Sequence, residues 1–100
     1  MSDELKHLRE RIRSLDDQLL ALVKERLEVA RAIGAVKVAA GLPIKDYQVE
    51  KDVLARAAQK ARELGLYEEL ATDLSKLLIR YAVNAQDEFK HRQTINATAE

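Results

Sequence analysis

The sequence predicts an all-α protein of three helices that pairs with a second copy of itself, and three observations lead there. Helix breakers are scarce, with three glycines and one proline in 100 residues. Alanine, leucine, glutamate, lysine and arginine outnumber the aromatic and β-branched residues that favour strands, and no strand run competes. Apolar residues recur by threes and fours through the first segment, as a helical stripe requires.

The first helix is expected from about Asp3 to Ala40. Leu5, Leu8, Ile12, Leu15, Leu19, Leu22, Val29, Ile33 and Val36 form a heptad-like seam once Arg26 is counted in the series. Leu20, Val23, Leu27 and Ala30 widen the stripe beyond a two-stranded seam, so the helix is expected to meet more than one neighbour. A helix of this length extends roughly 55 Å, about twice the size of a compact body of this chain length. One copy cannot cover it. A closed antiparallel or crossed dimer, in which the short helices pack on both long ones, solves the problem economically.

Gly41-Leu42-Pro43 ends that helix, and Asp46 is a candidate cap for the second, which Gly65 can close. The third helix follows and gives way to a polar tail over about 91–100. The chain reads as a single domain, without internal repeats.

Composition excludes several functions. Seventeen Lys and Arg balance seventeen Asp and Glu, so no net field draws the chain to nucleic acid or to an anionic membrane. No apolar run approaches the roughly 20 residues of a membrane span, and the N-terminus lacks an export signal, so a cytoplasmic location is expected and the sequon at Asn96 reads as a chance match. Without cysteine there is no thiolate chemistry. His7 and His91 lie at opposite ends without ligand spacing, so no metal site is expected.

Function must then rest on polar residues in apolar positions. Arg26 occupies the seam between Leu22 and Val29, where a guanidinium must reach water or meet an anion. From pattern alone a register-setting arginine, or one reaching a partner's carboxylate, is the commoner explanation, and a ligand contact the sharper one. Lys37 follows eleven residues later, close to three turns, and so projects from nearly the same side. Alone it reads as a lysine placed near a helix C-terminus. Gln86 ends the stripe Ile79, Val83, with small Ala82 and Ala85 leaving space beside it; it is either a core-edge amide or a neutral donor in a pocket. Asp46 reads first as a helix cap, and Glu50, in the first turns of the second helix, can simply stabilise that helix through its dipole.

Taken together, Leu8-Arg9, Glu25-Arg26, the stretch from Gly34 to Lys37, Pro43-Ile44-Lys45-Asp46, Glu50-Lys51-Asp52 and Gln86 resemble the all-helical class of chorismate mutases, in order and spacing, from about Leu8 to Phe89. The resemblance implies an intertwined homodimer with two equivalent sites, each built mostly from one chain and completed by an arginine of the other. It implies that Arg26 and the partner subunit's Arg9 clamp the two carboxylates of chorismate, that Lys37 and Gln86 face the ether oxygen, and that Glu50 and the backbone at Asp46 hold the ring hydroxyl. Ile33, Ile79 and Val83 would then be apolar walls. The reaction, chorismate to prephenate on the way to phenylalanine and tyrosine, needs no nucleophile, proton transfer or cofactor.

Two positions depart from the family pattern. Val49 stands where many members carry arginine, and Ala82, on the pocket margin, where a serine is common. Weaker substrate binding is expected. An isochorismate pyruvate-lyase and an amino-chorismate mutase share the helical fold, and Glu50 argues against the former. A non-catalytic helical dimerisation module is the alternative of another class; it has no particular need for Lys37 or Glu50. A helix-turn-helix DNA binder is disfavoured by the balanced charge.

Overall fold

In the computed structural model the chain folds as α1 (Ser2–Ala39), α2 (Tyr47–Leu64) and α3 (Glu68–Ala99). The structure describes residues 2–99, with side chains as far as Arg92, and those residues contain no strand. Instead of giving way to a tail near His91, α3 continues to Ala99, and the side chains beyond Arg92, the Asn96 sequon among them, lie outside those described.

Each helix end has a local cause. At the end of α1, Gly41 takes the left-handed conformation with φ 69°, the Leu42 N–H reaches back to the Lys37 carbonyl at 2.8 Å, and the Gly41 N–H reaches that of Val38 at 3.2 Å. Gly65 closes α2 in the same way, with Leu66 bonded to Ala61 and Gly65 to Arg62. Both are Schellman closures, which need the positive φ that glycine adopts without strain. Asp46 caps α2 as expected: its carboxylate accepts from the Gln48 and Val49 N–H groups at 3.1 and 3.2 Å. An ion pair between Arg62 and Glu68 ties the end of α2 to the start of α3.

α3 lies between the other two, packing against both, while α1 and α2 make no comparable contact among the described residues. The molecule measures 65 × 29 × 15 Å, and its thinnest dimension is little more than the diameter of one helix, about 10–12 Å. Three helices in one layer cannot enclose a core, because an interior needs at least two layers. Accordingly, the buried apolar residues are Ala30, Ile44, Ala61 and Ala85, and no large side chain is fully buried.

The two apolar stripes of α1 part company. Val23, Leu27, Ala30 and Gly34 are at least half-buried beneath α3, whereas the seam residues Leu22, Val29, Ile33 and Val36 stay exposed. Every residue from Ser2 to Leu22 is exposed. The surface area of 8351 Å² exceeds that of a compact monomer of this mass, about 5,700 Å², by about 2,600 Å². No described helix is long and apolar enough to cross a membrane.

Candidate active site

The α1–α2 connection brings all three helices together at one end of the layer, and a half-open cleft of about 290 Å³ lies there. Arg26, Ile33 and Lys37 line it from α1, Asp46 and Glu50 from the start of α2, and Ile79, Ala82, Val83 and Gln86 from α3. Its volume sits at the lower end of the range for small-molecule sites, about 300–1,000 Å³. The wall is largely apolar, so the few polar groups in it interact through a medium of lower dielectric than water.

Lys37 stands in the last turn of α1, where the chain is about to turn away. Its Nζ donates to the Ile44 carbonyl at 2.6 Å and to Gln86 Oε1 at 3.3 Å, so the ammonium is held between the connecting loop and α3. Gln86 is 6 % exposed. With Lys37 on its oxygen, Gln86 also carries an NH₂ group able to donate. Arg26 donates to the Leu78 carbonyl at 3.4 Å, a long bond that leaves most of its five N–H groups for other acceptors.

Glu50 sits in the wall between this cleft and a shallower one lined by Lys45, Lys76 and Arg80. Lys45 Nζ is 2.9 Å from Glu50 Oε2 and donates to Oε1 at 3.1 Å. The hydrogen bond to Glu50 raises the Lys45 pKa above its ordinary value, slight desolvation opposing it. Oε2 is buried and accepts no well-directed hydrogen bond, despite its closeness to Nζ. The contact between Nζ and Oε2 is a close ion pair without the alignment of a hydrogen bond. Both Glu50 oxygens thus lie beside the Lys45 ammonium, and Oε2 keeps a lone pair for a further donor.

Nine of the ten residues singled out from the sequence line one cleft. Arg9 does not: it is exposed on α1 and precedes Arg26 by 17 residues, roughly 25 Å along the helix axis. Val49 and Ala82 both line the cleft and bring it no polar side-chain atom. His7 and His91 are exposed, far apart in the sequence.

Sequence reasoning missed Lys45 as the partner of Glu50 and the Ile44 and Leu78 carbonyls as anchors for Lys37 and Arg26. Backbone acceptors have no sequence signature. It also assigned no separate task to Gly34, although a glycine inside a strong helix pattern is a signal of close packing.

Residues 8–87 match the family described as chorismate mutase type II, and the chain belongs to that family. It is 35% identical over 91 residues to a bifunctional chorismate mutase/prephenate dehydratase of Escherichia coli K12, a match covering 89% of this chain and 24% of that protein. The chain thus spans about a quarter of the length of that relative. A chorismate mutase of Methanocaldococcus jannaschii is 26% identical over 89 residues, which cover 89% of this chain and 90% of the relative. Among solved structures, a conserved hypothetical protein from Pyrococcus furiosus superposes with a TM-score of 0.65 at 34% identity, covering 82% of this chain and 93% of that one.

Proposed function

We propose that this chain is a chorismate mutase, working as a homodimer on the path to phenylalanine and tyrosine. The observation that carries the reading is the pairing of Lys37 with Gln86 at one wall of an apolar cleft. A concerted rearrangement needs its substrate held in a compact chair-like conformer, while one carbon–carbon bond forms and the ether carbon–oxygen bond breaks. Negative charge grows on that oxygen as its bond to the ring lengthens. A cation and a fixed N–H donor aimed at one point serve that charge, and fixing them in advance avoids reorganisation during the reaction.

In this reading Arg26 takes one carboxylate, using the guanidinium fork that Leu78 leaves largely free. Glu50 offers its spare acceptor to the ring hydroxyl, beside the backbone at Asp46. Ile33, Ile79 and Val83 exclude water. The remaining carboxylate needs another cation, which Arg9 of the partner subunit supplies. The bare seam on α1 and the excess of about 2,600 Å² on each chain support such a pairing, since obligate dimers commonly bury about 2,000–5,000 Å² in total.

Incubating the purified protein with chorismate, and separately with isochorismate, tests the reading. Prephenate formed from chorismate well above the uncatalysed rate is the expected product. Pyruvate released from isochorismate alone, or no turnover of either compound, would contradict it.

A further inference from the structure

Gly34 stands in the interior of α1, about one and a half turns before its end, where glycine is a poor helix former and alanine a good one. It is buried. A Cβ placed on it would meet Gln86 Cγ at 2.9 Å, Gln86 Cβ at 3.1 Å and Gln86 Cα at 3.2 Å. All three contacts fall on a single residue of the opposite helix. No open space exists there, and the backbone of α3 at Gln86 could accept a methyl group only by moving away from α1.

Lys37 lies one turn further along the same helix and holds the other end of the same side chain, at Gln86 Oε1. Gln86 is therefore gripped twice by α1, at its stem by the absent side chain of Gly34 and at its head by the Lys37 ammonium. The close approach limits where the stem can lie, and the head contact directs Oε1 towards Lys37. We infer that Gly34 is a positioning residue for Gln86: by letting α3 approach α1 within contact of bare backbone, it sets the distance at which the Gln86 amide meets Lys37 and the reacting atoms. Its role rests on the mutase reading for its catalytic consequence, though not for the contact itself.

The conventional explanation, that Gly34 only permits the two helices to pack, predicts a loss of stability and nothing specific to turnover. The positioning role predicts more. Gly34→Ala should lower kcat by about ten- to a hundredfold, the scale on which small displacements of a reacting group act, with KM changed less than about threefold. In a Gln86→Ala background the same substitution should cost almost nothing further in kcat, because the group being misplaced is gone. An unchanged kcat in Gly34→Ala, or an equal loss in both backgrounds, would overturn the inference.

If Gly34→Ala does not fold, the unmodified homodimer answers the question through the side-chain amide of Gln86, labelled with nitrogen-15. A gripped amide should be as rigid on the nanosecond scale as the helix backbone, whereas a freely reorienting one would overturn the double grip. A wild-type protein that makes no prephenate would remove the mutase reading and leave this amide measurement standing.

Discussion

The two halves of α1 share one heptad-like pattern, carried mainly by leucine in the first half and by valine, isoleucine and alanine in the second, and they are covered to different extents. From Val23 onwards the helix is covered on one side by α3, buries Ala30 and Gly34, and carries Arg26 and Lys37 to the cleft. From Ser2 to Leu22 it has leucines as regularly spaced, all of them exposed, and its Arg9 faces no described acceptor. The second half has one stripe covered within the chain, with Val29, Ile33 and Val36 still bare, while the first half is bare throughout. Helix propensity and heptad pattern are shared by both, so they do not distinguish a packed stripe from a waiting one. Coverage does, and coverage depends on the number of layers.

Breaking the bare half should have the largest effect. Replacing Leu15 and Leu19 by Glu places charges on the bare seam of each protomer, which burial in a dimer does not tolerate. Sedimentation should then show loss of the dimer, and helicity and turnover should fall together. A variant that stays dimeric and active would show that the first half of α1 is not the interface.

Breaking the partly covered half should separate chemistry from assembly. Lys37→Ala removes the cation at the wall of the cleft and should lower kcat by about 10²–10³-fold, with dimer and helical content intact. Near-normal turnover in a folded dimer would remove Lys37 from the mechanism.

A subtler change converts the neutral donor into a titrating one. Gln86→Glu offers a donor only when its carboxyl is protonated, and the neighbouring Lys37 ammonium favours the ionised form. Turnover of this variant should rise as the pH falls towards and below the ordinary glutamate range, about 4.3, while the parent shows no such limb from this position. A variant with the parent's pH profile would place Gln86 away from the developing charge.

The smallest effect is expected at Lys45. Its pKa is raised by Glu50, so the stability that comes through Lys45 is present at neutral pH and is lost as the pH climbs through that raised value. The pair is partly exposed, and screened pairs contribute little. Lys45→Ala should leave the unfolding midpoint at pH 7 nearly unchanged, and a large drop in calorimetry would show that the pair holds α2 in place.

Much of this was legible before any coordinates. Gly41, Pro43, Asp46 and Gly65 announced the helix ends because turn chemistry is local and residue-specific. Arg26 was conspicuous as a charge in a seam, and its eleven-residue separation from Lys37 put both on one wall. What the sequence left hidden depends on how α3 lies across α1. Lys37 and Gln86 are 49 positions apart, Arg26 and Leu78 are 52, and periodicity within one helix says nothing of register against another. The sorting of α1 into a covered and a bare stripe was hidden for the same reason: Val23 and Leu22 are equally good core residues.

The claim that joins the two halves is that Arg9 of one chain completes the cleft of the other. It is tested most directly by mixing Arg9→Ala chains with Lys37→Ala chains after dissociation and reassembly. Each parent homodimer should be nearly inactive. Random reassociation makes half the dimers mixed, each with one site carrying both Arg9 and Lys37, so activity should recover to about a quarter of the wild-type level. No recovery, with mixed dimers shown to have formed, would contradict a site shared between chains.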